Sequence, residues 1–256
     1  MMKENVPYPD LMGKTAVVTG GSSPIGAEIC RLLAANGARV VVSGRNRNAV
    51  DETVESLRGE GGEAVGIIAD CTDSSAIERM REETERTFGP AEILVTVAGG
   101  FGAPTPFEEI DEEEWSFVVD ANLTSTFLTI QGFLPGMILR GTGSILTMAS
   151  SAGRLPGGAS APYAAAKAGV IMLSRHLARE MGPHGIRVNC LAPDAIDVGW
   201  QGELPEETKR QMIAQFPLGR VGMPDDVAQA AVFLLSDKSS WITGVTLDVA
   251  GGRIML

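Results

Sequence analysis

The chain carries a tyrosine and a lysine at a spacing that suits proton transfer. Tyr163 precedes Lys167 by four residues in the run YAAAK, and Ser150 lies thirteen positions before the tyrosine. In a helix of 3.6 residues per turn, positions four apart lie on the same face. The ammonium is then expected to lower the pKa of the phenol, because a positive charge favours the phenolate. These residue types predict a general acid or base with an adjustable pKa.

A glycine-rich run from Thr19 to Gly26 is the second candidate site. It follows an apolar β-branched run and precedes a helical pattern. Glycines let the backbone approach a pyrophosphate, and the start of a helix offers unpaired N–H groups and a favourable dipole. The run therefore predicts a phosphate-binding turn, although a turn required only by chain geometry gives the same pattern.

Short β-branched runs alternate with longer helical patterns along the chain, which predicts an α/β fold. Because crossover connections are right-handed, the expected arrangement is a doubly wound, seven-stranded parallel sheet with helices on both faces and ligands at the carboxyl ends of the strands. The predicted strands are 15–19, 39–43, 64–68, 92–97, 143–148, 186–191 and 245–249. The predicted helices are 25–36, 47–59, 74–88, 112–138, 161–181 and 225–235.

Composition excludes several classes of function. The 256 residues are expected to form a single domain, and 21 basic and 32 acidic side chains give a net charge of −11, which disfavours nucleic acid and anionic membranes as partners. No apolar run reaches transmembrane length and the first residues lack a signal sequence, so a cytoplasmic location is expected. Cys30, Cys71 and Cys190, with only two histidines, form no disulfide framework and no metal site, which predicts buried thiols.

From Gly13 to about Gly252 the sequence resembles the short-chain dehydrogenase/reductase family. The family turn T-G-x-x-x-G-x-G is matched from Thr19 to Gly26, with Pro24 at its middle glycine. Proline suits the first position of a helix. The family's four catalytic positions are matched in register by Asn122, Ser150, Tyr163 and Lys167. The resemblance implies a single-domain Rossmann fold and an NAD(P)(H)-dependent oxidoreductase that interconverts a carbonyl and a secondary alcohol.

The resemblance also assigns roles. Tyr163 exchanges a proton with the substrate oxygen, and Lys167 lowers the pKa of Tyr163 and holds the nicotinamide ribose. Ser150 hydrogen-bonds the substrate oxygen and fixes its distance to Tyr163. Asn122 is expected to anchor a water that passes protons from Lys167 to solvent, or else to be an ordinary amide at a helix bend.

Cofactor choice is expected at the end of the second strand, where enzymes that select NAD place an acid. Gly44 and Arg45 stand there instead. A guanidinium can bind a 2′-phosphate, and Ser43 can add a hydroxyl, so NADP(H) is favoured and NAD(H) remains possible. Asp70 matches the family acid beside the adenine, or caps the helix that starts near Ser74. The predicted cofactor residues are Gly20, Ser22, Ser23, Ile25, Ser43, Arg45, Asp70, Cys71, Ala98, Gly99, Tyr163, Lys167, Pro193 and Ile196.

Departures from the family pattern leave a second hypothesis open. Thr96 replaces an asparagine, Asp194 replaces a glycine and brings a carboxylate towards the pyrophosphate, and Val198 replaces a threonine. With Pro24, these changes also fit a catalytically weak or inactive nucleotide-binding sensor or scaffold. An α/β hydrolase is set aside, because Gly20 to Pro24 lacks the last glycine of a nucleophile elbow.

The remaining expectations concern substrate and assembly. Residues 197–223 interrupt the strand and helix rhythm and predict a substrate lid or a surface excursion. Four apolar residues indicate either a pocket for a small carbonyl or alcohol substrate or simple packing: Phe101, Leu155, Trp200 and Phe216. The chain ends in an apolar tail that a monomer would expose, and relatives are commonly tetramers, so a homotetramer is expected.

Overall fold

This computed structural model describes residues 8–102, 105–199 and 204–255. The described residues form a seven-stranded parallel sheet of strand order β3-β2-β1-β4-β5-β6-β7. The strands are β1 (Thr15–Thr19), β2 (Arg39–Gly44), β3 (Glu63–Ile68), β4 (Ile93–Thr96), β5 (Gly143–Met148), β6 (Ile186–Pro193) and β7 (Thr246–Val249). The helices are α1 (Pro24–Ala35), α2 (Arg47–Gly59), α3 (Ser74–Phe88), α4 (Glu112–Val119), α5 (Ser125–Arg140), α6 (Ala161–Met181), α7 (Glu206–Ile213) and α8 (Pro224–Leu235).

The apolar strands are buried because helices cover both faces of the sheet. All five residues of β1 are buried, as expected for a central parallel strand. One hydrophobic cluster packs α1, α2 and α8 against one face, and it includes Leu33, Val54 and Val227. A second cluster packs α3, α5 and the end of α6 against the other face. The predicted doubly wound sheet is therefore confirmed.

The strand order reverses between β1 and β4, which are adjacent in the sheet although β2 and β3 lie between them in sequence. The connections that follow β1 and β4 run to opposite sides of the sheet, so a crevice opens outside the carboxyl ends of these two strands. The glycine-rich run lies at the end of β1. The fold thus places that run at the crevice.

One long predicted helix is divided. Residues 112–138 were expected to form a single helix, but a wide turn at Asp120–Thr124, with the hydrogen-bond spacing of a π-helix, separates α4 from α5. Such insertions are frequent at functional sites, and this one contains Asn122. The prediction was wrong because an apolar pattern continues across a one-residue insertion without a visible break.

The next features concern the helices, the metal-ligating side chains and the cysteines of the described ranges. Its helices are all too short or too polar to cross a membrane. Nowhere in the described ranges do three metal-ligating side chains come together. Cys30, Cys71 and Cys190 are free and buried, as predicted.

Candidate active site

The turn between β1 and α1 leaves no room for side chains. Gly20 has a φ of +64°, and a Cβ there would lie 2.7 Å from the backbone nitrogen of Ala98. A Cβ on Gly26 would collide with the carbonyl oxygen of Gly20. Only glycine fits at both positions, so the turn stays open along its outer side.

The start of α1 presents free backbone donors. Ser23 caps the helix, since its Oγ accepts from the N–H of Gly26 at 3.1 Å and donates to the carbonyl of Gly20 at 2.7 Å. Pro24 occupies the first helical position, as predicted, where a missing N–H costs nothing. The N–H groups of Ser22 and Ile25 donate to no other described residue. The turn therefore fits a phosphate group, with two donors beside the positive end of the helix dipole.

A cleft of about 350 Å³ opens at this turn, between the ends of β1 and β4. Eight predicted cofactor residues line it: Gly20, Ser22, Ser23, Arg45, Asp70, Cys71, Ala98 and Gly99. The sequence did not single out six further lining residues: Asn46, Ala69, Thr72, Val97, Ala121 and Ser125. The first four lie within four residues after the end of a strand and could have been found by that position. Ala121 and Ser125 come from the helical layer and carry no such signal.

The predicted proton-transfer residues lie just after β5 and in the first turns of α6. Ser150 follows β5, and Tyr163 and Lys167 lie one turn apart on α6. All three are buried, Tyr163 being 5% exposed. The Lys167 ammonium lies 5.5 Å from the centre of the Tyr163 ring and donates to the carbonyl of Met148 at 2.9 Å. The structure thus brings together the three residues that the sequence picked out.

The sequence as a whole is similar to those of known enzymes. A family model described as enoyl-(acyl carrier protein) reductase matches residues 20–253. The 3-oxoacyl-[acyl-carrier-protein] reductase FabG of Escherichia coli is 36% identical over 244 residues, which cover 95% of this chain and 98% of that protein. The 2,5-dichloro-2,5-cyclohexadiene-1,4-diol dehydrogenase LinX of Sphingobium indicum is 35% identical over 242 residues, covering 94% and 96%. The chain belongs to the short-chain dehydrogenase/reductase family.

A solved structure agrees with that membership. The crystal structure of a 3-oxoacyl-[acyl-carrier protein] reductase with bound NAD from Brucella melitensis superposes with a TM-score of 0.91 at 34% identity, covering 100% of this chain and 97% of that one. The present chain is accordingly an NAD(P)-dependent oxidoreductase that interconverts carbonyl and alcohol groups.

In this dehydrogenase/reductase the pKa of Tyr163 is raised, which corrects the expectation that Lys167 would lower it. Burial is the main cause, since it disfavours the phenolate, and the Ser150 hydroxyl partly offsets the rise as a hydrogen-bond donor. Burial also lowers the pKa of Lys167 to about 8. Desolvation therefore sets the direction of both pKa shifts.

Asn122 braces the loop that follows β4. Its amide donates to the carbonyls of Val118 and Gly100, both at 2.8 Å, and accepts from the N–H of Gly100 at 3.2 Å. A Cβ on Gly99 would lie 2.5 Å from the Asn122 Oδ1, so the loop and the helix are in close contact. Asn122 is thus more than an amide at a helix bend. That it anchors a water stays a prediction.

Two opposite charges, Asp70 and Arg45, line the end of the cleft where the adenine is expected. Asp70 accepts from the N–H and the hydroxyl of Thr72 at 2.9 and 2.7 Å, and these bonds, with the charge of Arg45, lower its pKa. Asp70 does not cap α3, because Asp73 does so by accepting from the N–H of Ser75 at 2.8 Å. Asp70 therefore stays ionised within reach of a ligand in the cleft.

Ser43 contradicts its predicted role. Its side chain is completely buried, does not line the cleft, and has a hydroxyl with no hydrogen-bond partner in the described structure. Successive strand residues point to opposite faces, and Ser43 shares its face with Val41 in the second hydrophobic cluster. The hydroxyl is therefore unable to reach a 2′-phosphate.

The end of β6 lies beside the cleft and not on its wall. Pro193 ends the strand, and Ile196 is buried and paired with Gly222. The carboxylate of Asp194 is paired with Arg253, whose Nη1 lies 3.0 Å from Oδ1. The unusual negative charge near the expected pyrophosphate is therefore neutralised within the chain, which removes one argument for an inactive scaffold.

The other departures have different consequences. The hydroxyl of Thr96 is buried without a partner in the described ranges, so the tie between strands that an asparagine would make is missing.

Phe101 stacks on Tyr163 with ring centres 4.7 Å apart, whereas Phe216 is buried away from it, against Gly251. Leu155 and Val198 are exposed. Trp200 lies outside the described residues.

Proposed function

We propose that Tyr163 exchanges the proton with the substrate oxygen while Ser150 orients that oxygen and Lys167 supplies a nearby positive charge. The observation that carries this proposal is the convergence of the three buried side chains beside the cleft. A bound nicotinamide would supply or accept the hydride. In the reducing direction the raised pKa of Tyr163 favours its neutral form, which is the form that donates a proton.

NADP(H) is the proposed cofactor, with NAD(H) as the alternative. Arg45 is exposed at the cleft and forms no ion pair with any described residue, so its guanidinium is free to bind a 2′-phosphate. Gly44 supplies no carboxylate that would repel the phosphate. The glycine turn and the free donors of Ser22 and Ile25 support binding of the pyrophosphate.

The substrate is proposed to be a small molecule with an apolar group next to its carbonyl. The Phe101 ring stacks on one side of Tyr163, and Phe101 itself is 68% exposed, which gives an apolar group a surface to pack on. We also propose that 197–223 closes over this region as a lid. Within it, α7 has no buried residue and thus little to hold it in place.

We further propose that the chain is a single domain and that it forms a homotetramer in the cytoplasm. Support for assembly comes from large apolar side chains left exposed on α4, α5 and α6, namely Phe117, Phe127 and Met172, and near β7, namely Trp241, Leu247 and Met255. The three free thiols agree with a reducing compartment. Light scattering after size exclusion tests the assembly, and a monomer at micromolar concentration would contradict it.

The decisive experiment follows nicotinamide absorbance with NADPH and NADH over a panel of carbonyls, and with NADP⁺ and NAD⁺ over the matching alcohols. The panel should include apolar ketones, polar ketones and a 3-oxoacyl thioester, the class named by the FabG relatives. We expect turnover, faster with NADPH and with apolar ketones. If no member turns over while the cofactor still binds, the proposed function is wrong.

A further inference from the structure

The segment that carries Ser150 is a single tight turn. After β5, Ser150 is followed by one turn of 3₁₀-helix at Ser151–Gly153, and then by Arg154. The Ser150 Oγ accepts from the N–H of Ala152 at 3.2 Å, and the N–H of Arg154 donates to the carbonyl of Ser151 at 2.9 Å. Ser150 and Arg154 are therefore joined by a short hydrogen-bonded segment in which a shift of one moves the other.

Arg154 fixes the far end of this turn to β7. Its Nε donates to the Oδ1 of Asp248 at 3.0 Å, and its Nη2 donates to Oδ2 at 3.2 Å and to the carbonyl of Thr246 at 2.9 Å. The two side chains are only 11% and 14% exposed. A forked, largely buried pair of this kind fixes direction as well as distance, because the planar guanidinium matches the carboxylate.

The opposite side of the same turn rests directly on α6. A Cβ on Gly153 would lie 2.7 Å from the carbonyl carbon of Lys167, which is backbone of the helix that carries Tyr163. The turn thus has α6 on one side and the Arg154 pair on the other. If the pair is removed, only the side facing α6 remains fixed.

We propose that Arg154 and Asp248 are positioning residues, which clamp the turn after β5 to β7 and so hold the Ser150 hydroxyl in register with the Tyr163 phenol. The inference rests on the proposed function, in which Ser150 orients the reacting oxygen. Neither Arg154 nor Asp248 lines the cleft, so they act through Ser150 and do not contact the cofactor there.

The kinetic test compares Arg154→Met, Arg154→Lys and Asp248→Asn with the wild type. Arg154→Met should lower kcat about 10- to 100-fold, since small misplacements of reacting groups have effects of that size. The dissociation constant of the cofactor should stay within about twofold, because the clamp lies outside the cleft. Arg154→Lys keeps the charge without the fork and should recover part of kcat. Arg31→Met is the control, as it breaks a more exposed arginine–glutamate pair on α1 and should leave kcat unchanged.

A second measurement works without turnover. The chain has only two tyrosines, so carbon-13 at the tyrosine Cζ gives two NMR signals, and Tyr8→Phe assigns the one from Tyr163. Ser150→Ala should displace that signal, and Arg154→Met should displace it in the same direction, while Arg31→Met leaves it in place. A folded Arg154→Met protein with the wild-type signal and wild-type kcat overturns the proposal. If the wild type turns over nothing but the signal still moves, the proposed function fails and the clamp stands.

Discussion

We expect turnover to depend most strongly on the hydroxyl of Tyr163. Replacing it with phenylalanine keeps the ring that Phe101 stacks on but removes the proton that is exchanged. Turnover should fall by about 10²- to 10⁴-fold, the usual contribution of a positioned acid or base. Cofactor affinity, measured by the fluorescence of bound NADPH, should change little. A Tyr163→Phe protein with wild-type turnover would remove this residue from the mechanism.

Arg45 is the residue on which the cofactor preference depends. Arg45→Ala should weaken NADPH binding about 10- to 100-fold, because a hydrogen bond between charged groups is lost, and should affect NADH much less. Arg47→Ala is the control, since Arg47 is exposed nearby but does not line the cleft. Titration calorimetry with both cofactors measures the difference, and equal losses for NADPH and NADH would contradict the preference.

At this scale the sequence predicted which residue types meet, but it did not predict their burial. Spacing on one helix placed Tyr163 beside Lys167 correctly. The pKa of the phenol could not be predicted, because desolvation depends on everything packed around it. The prediction for Ser43 was wrong for a related reason. Neighbouring residues of a strand point to opposite sides of the sheet, so a shift of one position moves a side chain from the cleft to the core.

Among the elements, the turn between β1 and α1 is the part that tolerates least change. Gly26→Ala puts a Cβ against the carbonyl of Gly20 and should lower the melting temperature and weaken cofactor binding at least tenfold. Gly59→Ala is the matched control, because it lies at the end of α2 with nothing within 4 Å of its Cβ. That control should be neutral or slightly stabilising. Differential scanning calorimetry measures both, and equal melting temperatures would show that the turn has room to adjust.

Elements were largely predictable because buried parallel strands read as unbroken β-branched runs, and each of the seven was placed within about two residues. The start of α1 was also predictable, since Pro24 occupies the first helical position as expected. The wide turn around Asn122 was not, because its cause is tertiary: the amide is held by Gly100, 22 residues away. Contacts between distant segments decide such local geometry, and one sequence does not reveal them.

For the whole molecule, the buried Lys167 links stability to pH. Its pKa is about 8 in the folded chain because burial disfavours the ammonium, against a usual value of 10.5. Between these pH values the unfolded chain binds more protons than the folded one, so this group makes the free energy of unfolding rise with pH. The destabilisation is fully present below pH 8 and disappears towards pH 10.5.

Lys167→Met removes the buried ammonium and should make the cofactor-free protein more stable than the wild type at pH 7. We expect a gain of about 1 to 3 kcal/mol, which allows for the lost hydrogen bond to Met148. The gain should shrink as the pH rises from 8 to 10.5, because the wild-type lysine is then neutral in the folded state at little cost. Urea denaturation across this range measures it, with Lys209→Met, on α7 and partly exposed, as the control. A gain that stays constant with pH would mean that packing, and not charge burial, accounts for the difference.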